Sequence, residues 1–389
     1  MAPQYGFYEF FAGGGMARLG LGDSWTCLFA NEWAEKKAAC YRARFGTEPS
    51  LTVPELAVGD VAALSIRDLP GIPHLVWASF PCQDLSLAGN GAGLDGQRSG
   101  TFRAFWRLME GLVETGRAPG VIVLENVVGA ITSHKGKDFR EIAQGISEAG
   151  YRVGALVLDA AHFVPQSRPR LFFVASLGGT DQLSRFHSGV PREFLHPESL
   201  VAAVDALPTR VRADWRWWNL PMPKARHVRL EDLIDAEPVG VEWHSALETD
   251  RLLALMSPLN RGKVENAQRM RQRIIGTVYR RTRIGDDGLR VQRAEVRFDG
   301  IAGCLRTPGG GSSRQIILSV DEGMVRSRLI SPVEAARLMG VPSDYPIPAN
   351  YNDAYHLFGD GLVVPVVRYL ESHLLRPLVS GDDAAAMAA

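Results

Sequence analysis

Short apolar runs alternate with amphipathic stretches between residues 5 and 175, a pattern typical of strands and helices that follow one another along the chain. Such alternation usually gives a largely parallel sheet covered by helices. The predicted strands span 5–12, 26–30, 74–80, 121–124, 151–158 and 171–175, and the predicted helices span 16–21, 34–45 and 101–115. This part of the chain therefore predicts an α/β domain.

The alternation stops near residue 180. Residues 208–327 carry three tryptophans in a short stretch, basic clusters and glycine-rich turns, without regular βα units. This composition predicts a second, smaller domain of irregular β character.

The composition is ordinary for a globular protein, since 46% of the 389 residues are hydrophobic and 22% are charged. The four cysteines lie far apart and form no Cys-x-x-Cys pair, so neither a zinc site nor a disulfide framework is predicted. The N-terminus has no signal-peptide pattern, and no apolar run approaches the length of a membrane span. We expect a cytoplasmic protein with reduced thiols.

Charge is distributed unevenly along the chain. The net charge of zero argues against a protein that coats nucleic acid. The segment from Arg261 to Arg297 nevertheless holds eleven lysines or arginines against four acidic residues. Such a segment is typical of a phosphate-contacting face, although a solvated helix face has the same composition.

A glycine-rich turn follows the first predicted strand. The glycines of Gly13-Gly14-Gly15 allow close approach of a nucleoside-containing cofactor, and Glu32, at the end of the second strand, suits its ribose hydroxyls. Arg18 stands where an NAD-binding fingerprint needs glycine or alanine, and no lysine-serine pair indicates a P-loop. Asp60 falls where a third strand would end, and it is equally suited to a simple turn.

Cys82 follows a buried strand that Pro81 terminates. Ligands and catalytic residues of α/β sheets usually lie at the carboxyl ends of the strands, so the position favours a nucleophile. The alternative is a small buried cysteine with a packing role. A glycine-rich stretch, 88–98, follows the thiol and has the length of a lid.

Two more charged segments follow predicted strands. Glu125 comes after four apolar residues, which should desolvate its carboxyl and raise its pKa. Arg168 and Arg170 bracket Pro169 and suit a phosphate or a planar polar ring.

Taken together, these segments resemble the motifs of the cytosine-C5 DNA methyltransferases. The matching segments are Phe11-Ala12-Gly13-Gly14-Gly15, Asn31-Glu32-Trp33, Pro81-Cys82-Gln83, Glu125-Asn126-Val127, Gln166-Ser167-Arg168-Pro169-Arg170 and 328–342. Their order and spacing agree with that family over most of the chain. The resemblance implies a Rossmann-like S-adenosylmethionine-dependent methyltransferase sheet with a second, smaller, irregular β-rich target recognition domain. We expect a catalytic domain at 1–190, a target recognition domain at 191–345 and a returning C-terminal segment at 346–389.

The resemblance also implies roles for individual residues. Cys82 would attack C6 of a flipped cytosine, Glu125 would donate to N3, and Arg168 and Arg170 would hold the O2 side. The expected S-adenosyl-L-methionine-binding residues are Phe11, Gly13, Gly15, Glu32, Trp33, Asp60, Pro81 and Asp360. The expected DNA-binding residues are Ser86, Arg98, Arg281, Arg283 and Arg314, and no metal is expected.

One position departs from the family pattern. Asp360 stands where the family commonly has asparagine, so a charge is expected near the methionine end of the cofactor. The expected partner is double-stranded DNA, with a cognate restriction endonuclease acting separately, and the expected state is a monomer in a bacterial or phage system. Two other interpretations stay open: a related enzyme that modifies RNA, and an inactive DNA-binding module.

Overall fold

The computed structural model describes residues 5–46, 55–80, 100–177, 186–284, 288–307 and 314–380. The described strands are β1 Tyr5–Phe10, β2 Trp25–Glu32, β3 Leu56–Val58, β4 Leu75–Ala78, β5 Val121–Val127, β6 Arg152–Asp159, β7 Pro169–Ser176, β8 Ile274–Ile284, β9 Arg290–Arg297, β10 Ile316–Asp321 and β11 Met324–Leu329. The described α-helices are α1 Met16–Leu21, α2 Glu35–Phe45, α3 Gly100–Glu114, α4 Lys137–Glu148, α5 Glu198–Asp205, α6 Thr209–Ala213, α7 Leu230–Leu233, α8 Ala246–Ala254, α9 Pro258–Arg269, α10 Pro332–Leu338, α11 Tyr351–Asp360, α12 Val364–Leu370 and α13 Arg376–Ser380.

The chain divides into two compact units. The first unit comprises Met1–Asp159, Pro169–Pro223 and Val366–Ala389, and the second comprises Ala160–Arg168 and Lys224–Pro365. The short segment Ala160–Arg168 therefore belongs to the second unit although its two neighbours in the chain, β6 and β7, are strands of the first.

The first unit is built on a seven-stranded sheet with the order β3-β2-β1-β4-β5-β7-β6. Its strands are parallel except β7, which lies antiparallel between β5 and β6. The carboxyl ends of β1, β2, β4 and β5 therefore meet at one edge. Because β7 runs the other way, its first residues lie at that same edge.

Helices cover this sheet through apolar stripes at helical spacing. In α4, Phe139, Ile142 and Ile146 are buried on one face, which is the i, i+3, i+7 pattern of an amphipathic helix. In α3, Phe105 and Met109 are fully buried in the same core. The central strand β4, Leu75–Ala78, is apolar over its whole length, and β5 is apolar from Val121 to Leu124, as expected of a parallel sheet buried on both faces.

The second unit holds a four-stranded antiparallel sheet with the order β11-β10-β8-β9. The helices α8 and α9 contribute Leu252, Leu253 and Val264 to a core that also contains Val278 and Leu318 of the sheet. A fully buried salt bridge at 2.6 Å joins Arg328 to Glu334, the acid of the capping box that begins α10. The motif-bearing segment 328–342 is thus anchored inside this unit.

The α/β fold class predicted from the sequence is confirmed, and a second, antiparallel sheet is present. The helices α8 and α9 differ from the expectation of irregular β structure, because tryptophans and glycine turns do not exclude short helices between strands. The division into functional domains at 190 and 345 stays a prediction, since compactness alone assigns no function. In the described part of the chain, no helix combines the length and apolar character needed to cross a membrane.

Gly154 on β6 should be irreplaceable. An added Cβ would lie 1.9 Å from the carbonyl oxygen of Arg216 and 2.6 Å from the indole nitrogen of Trp218. The main chain at Arg216 cannot shift without disturbing the packing around it. We therefore expect Gly154→Ala to lower the free energy of unfolding by about 2 kcal/mol or more. The exposed Gly189 has no atom within 4 Å of a built Cβ, so Gly189→Ala should change it by less than about 0.5 kcal/mol. Urea denaturation of both variants checks this, and equal stabilities would contradict it.

Candidate active site

The turn between β1 and α1 adopts backbone conformations that explain its glycines. Phe11, Gly13 and Gly15 all have positive φ, at 57°, 56° and 78°. A Cβ on Gly15 would lie 2.3 Å from the ring of Phe45, so close helix packing requires glycine there. Nothing lies within 4 Å of a Cβ built on Gly13. The turn therefore keeps an open surface above Gly13 while its other side is packed.

Glu32 at the end of β2 binds this turn directly. Its carboxylate accepts the main-chain N–H of Gly13 at 2.7 Å and that of Ala34 at 2.8 Å. The next residue, Trp33, is 68% exposed, which is unusual for such a large side chain. A carboxylate, an exposed indole and an open turn are thus placed along one edge of the sheet.

Asp60 lies beside this edge, just after β3. Its carboxylate accepts the N–H of Ala62 at 2.9 Å and caps a short 3₁₀-helix. β3 pairs with β2, and Val58 lies opposite Glu32. Asp60 comes two residues after Val58, so it lies near the end of β2 that carries Glu32. Phe11, Gly13, Gly15, Glu32, Trp33 and Asp60 are therefore gathered near the carboxyl ends of β1, β2 and β3.

Arg18, the residue that departs from the NAD-binding fingerprint, contacts protein side chains around α2. Its guanidinium donates to the hydroxyl of Tyr41 at 3.1 Å, forms an ion pair with Glu55, and lies 4.2 Å from the ring centroid of Phe45. The arginine therefore fastens α1 to α2.

Glu9 was missed by the sequence analysis. It is a buried acid in the middle of β1, and the main-chain N–H groups of Ala17 and Arg18 at the start of α1 favour its charged form. Its Oε2 has no hydrogen-bond partner among the described residues. Burial raises the pKa of Glu9 to about 8, although the nearby Arg18 guanidinium favours the charged form. The signal in the sequence is a carboxylate inside a run of aromatic residues, which indicates an acid in a buried strand.

Glu125 and Arg170 form a salt bridge at the carboxyl edge of the seven-stranded sheet. The Arg170 Nε lies 3.0 Å from the Glu125 carboxylate, and both side chains are largely buried. Glu125 belongs to the carboxyl end of β5, whereas Arg170 belongs to the beginning of the antiparallel β7, opposite Val127. The two side chains are thus diagonal neighbours on one face of the sheet.

The next residue, Asn126, ties the edge to the end of the β4 segment. Its side-chain amide donates to the carbonyl of Phe80 at 3.3 Å, and its oxygen accepts the N–H of Val127 at 2.8 Å. Phe80 immediately precedes Pro81 in the chain. The predicted site residues Pro81, Cys82, Ser86 and Arg98 lie outside the described residues.

Arg168 has different surroundings from Arg170. It is 3% exposed, and its guanidinium donates to the carbonyls of Leu305, Gly359 and Gly361 at 2.8, 2.9 and 2.7 Å, all within the second unit. Asp360, between those two glycines, accepts a hydrogen bond from the hydroxyl of Thr307. Two arginines that look equivalent in the sequence are thus directed to different groups.

The predicted DNA-binding arginines lie in the second unit. The distal part of the β8–β9 hairpin is an arginine-rich ribbon, residues 280–284 with 290–293, in which nearly every residue is exposed. Arg281 and Arg283 share one face of it with Arg293. The Glu295 carboxylate lies 3.4 Å from Nε of Arg281 and accepts hydrogen bonds from Nε and Nη2 of Arg283 at 2.7 and 2.5 Å. Arg314 instead donates to Asn352, and its guanidinium lies 5.5 Å from the Tyr351 ring centroid.

Comparison with known proteins gives a family match over almost the whole chain. A model of the C-5 cytosine-specific DNA methylase family matches residues 5–376. The chain is similar to the type II methyltransferase M.BsuFI of Bacillus subtilis, with 26% identity over 93% of this chain and 70% of that protein. It is also similar to the type II methyltransferase M.HhaI of Haemophilus parahaemolyticus, with 23% identity over 94% of this chain and 92% of that protein.

Solved structures agree at the level of the fold. The structure of the S. pombe Dnmt2 methyltransferase has a TM-score of 0.57 and 18% identity, covering 96% of this chain and 99% of that one. The Entamoeba histolytica methyltransferase EhMeth has a TM-score of 0.57 and 14% identity, covering 94% and 96% of the two chains.

The buried carboxyl of Glu9 should make stability depend on pH. The unfolded chain ionises Glu9 near its ordinary pKa of 4.5, whereas the folded protein keeps it protonated up to about pH 8. Stability from this group is therefore complete below about pH 4.5 and falls as the pH rises toward 8. Relative to the unchanged protein, Glu9→Gln should gain at least about 1 kcal/mol between pH 5 and 8. Urea unfolding of both proteins across this range measures the free energy of unfolding against pH. If the two curves run parallel, Glu9 is not the group whose pKa is raised.

Proposed function

Because the chain belongs to the C-5 cytosine-specific DNA methylase family, we propose that it methylates C5 of a flipped cytosine in a short duplex DNA sequence, through a covalent bond between Cys82 and C6. The observation that carries this proposal is the Glu125–Arg170 pair at the carboxyl edge of the sheet, beside the strand that leads to Cys82. An acid and a guanidinium held together suit the N3 and O2 atoms of one pyrimidine ring.

S-adenosyl-L-methionine is the proposed cofactor, and the residues at the glycine-rich turn fit it. The open surface over Gly13 allows close approach, the Glu32 carboxylate suits ribose hydroxyls, and the exposed indole of Trp33 offers a stacking surface for adenine. We include Phe11, Gly15, Asp60, Pro81 and Asp360 in this site. When bound, the cofactor supplies a methyl group on a positively charged sulfur.

The protein's own groups carry the remaining steps. Cytosine C5 is a poor nucleophile, so addition of the Cys82 thiolate to C6 is needed to create an enamine. A cysteine has an ordinary pKa of roughly 8.5, so a minority is thiolate near neutrality. Glu125 donates a proton to N3 during this addition, while Arg170 holds O2. After C5 has been methylated, its proton passes to water, and the electron pair of that C–H bond expels Cys82 from C6 as a thiolate. N3 returns its proton to Glu125, and the aromatic ring is restored.

Duplex DNA is the proposed partner, contacted by the exposed arginines of the β8–β9 ribbon. A two-stranded β-ribbon fits the major groove, and arginines there bind phosphates and guanine edges. We propose DNA contacts for Arg281, Arg283 and Arg314, and for Ser86 and Arg98. The proposed catalytic domain is 1–190, the target recognition domain is 191–345, and 346–389 returns to the catalytic domain. The enzyme acts as a monomer in bacterial or phage-infected cytoplasm, and a restriction endonuclease acts separately.

Sequencing of methylated cytosines in plasmid DNA from expressing cells tests the chemistry. We expect modification at one short motif, and we expect Cys82→Ala and Glu125→Gln to lower it by at least about 100-fold, because each removes a group that acts on the ring. The exposed Glu114→Gln should leave it unchanged. An unmodified plasmid from the intact protein would contradict a DNA substrate, and methyl incorporation into tRNA by the same preparation would favour RNA.

Salt-dependent DNA binding tests the ribbon. Arg281→Ala combined with Arg283→Ala should weaken duplex binding by about tenfold and make the slope of log K against log salt shallower by about one per lost phosphate contact. The affinity for S-adenosylmethionine should stay the same. Arg67→Ala changes an exposed arginine of the first unit and serves as the matched control. An unchanged slope in the double variant would exclude the ribbon as a phosphate-contacting surface.

A further inference from the structure

The guanidinium of Arg168 is surrounded by main-chain acceptors. Nη1 donates to the Leu305 carbonyl at 2.8 Å and lies 3.3 Å from the sulfur of Cys304. Nη2 donates to the carbonyls of Gly359 and Gly361 at 2.9 and 2.7 Å. Because each terminal nitrogen already donates to main-chain carbonyls, turning either nitrogen toward a pyrimidine oxygen would leave those carbonyls without a partner, which is costly.

Two of these carbonyls belong to the end of a helix. Gly359 lies in the last turn of α11, and Gly361 follows it. The last carbonyls of a helix lack intrahelical partners and carry partial negative charge, so a buried cation there is a favourable cap. Arg168 therefore holds the end of α11 against the segment that contains Leu305.

Independent contacts fasten the same segments. The Gln166 side chain accepts the N–H of Leu305 at 3.1 Å and donates to the Leu338 carbonyl at 2.9 Å. A Cβ built on Gly359 would lie 2.9 Å from the Thr307 nitrogen, so the helix end lies directly against residues 306–307. The Thr307 hydroxyl donates to Asp360. The position of Asp360 is thus fixed from one side by Thr307 and from the other by Arg168.

We propose that Arg168 is a positioning residue that sets segment 359–361 for cofactor binding, and that Arg170 alone of the two arginines contacts the cytosine. This inference rests on the proposed function, in which Asp360 belongs to the S-adenosylmethionine site. It departs from the role that the motif resemblance implies for Arg168, because the two guanidinium groups face different partners. Arg170 faces the Glu125 carboxylate, whereas Arg168 faces carbonyls.

Calorimetric binding of S-adenosylmethionine without DNA separates the two roles. We expect Arg168→Met to raise the Kd for the cofactor by at least about tenfold, corresponding to about 1.4 kcal/mol. Arg168→Lys should recover part of that loss, because an ammonium still reaches some carbonyls. Arg170→Met should keep the cofactor Kd within about twofold while lowering kcat at saturating cofactor by about 100-fold.

A matched control excludes a general effect of removing an arginine. Arg273 also donates to a main-chain carbonyl of the same unit, that of Ile234 at 3.1 Å. Arg273→Met should leave the cofactor Kd unchanged. Should Arg168→Met fail to fold, Thr307→Val decides, because it removes the hydroxyl that donates to Asp360 and should raise the cofactor Kd about threefold.

The inference is overturned if Arg168→Met, or Thr307→Val in its place, binds S-adenosylmethionine as tightly as the unchanged protein. In the case of Arg168→Met, a loss of kcat like that of Arg170→Met would then identify Arg168 as a cytosine contact. A different result marks failure of the proposed function itself: the unchanged protein would bind no S-adenosylmethionine and transfer no methyl group to DNA.

Discussion

The salt bridge between Glu125 and Arg170 depends on the reversed direction of one strand. In a sheet whose strands were all parallel, the first residues of β7 would lie at the edge opposite the carboxyl end of β5. The antiparallel placement of β7 between β5 and β6 brings Arg170 beside Glu125, with 3.0 Å between Nε and the carboxylate. Asn126, next to Glu125, then binds the carbonyl of Phe80 just before Pro81. The reversal thus brings the guanidinium to the edge where the parallel strands β4 and β5 already place the chain leading to the thiol and the acid.

On the side of this edge where the cofactor is proposed to bind, buried carboxylates interact with main-chain N–H groups. Glu32 accepts the N–H groups of Gly13 and Ala34, and the main-chain N–H groups at the beginning of α1 favour the charged form of Glu9. A glycine-rich turn has many accessible conformations, so such fixed acceptors reduce the entropy lost when a ligand binds. Because burial raises the pKa of Glu9, the contribution of this group to stability should fall as the pH rises.

Much of the first unit could be predicted from local pattern. The apolar runs located β1, β2, β4, β5, β6 and β7 to within a few residues, and the glycines located the turn before α1. The direction of β7 could not be predicted, because apolar periodicity is the same in parallel and antiparallel central strands. Nor could the difference between Arg168 and Arg170, since the carbonyls around Arg168 lie more than 130 residues away in sequence. The aromatic residues around Glu9 are a signal in the sequence, but the pattern alone does not show that the carboxyl is buried.

Trapping of the covalent adduct tests the central claim most directly. In the proposed reaction the C5 proton must leave before Cys82 can be released, and fluorine at C5 cannot leave as a cation. Duplex DNA with 5-fluorocytosine at the modified position should therefore form a complex with the intact protein that survives denaturation. The complex should require S-adenosylmethionine, carry the methyl group, and be absent with Cys82→Ala. Failure of an intact protein that methylates ordinary DNA to form this complex would contradict covalent catalysis by Cys82.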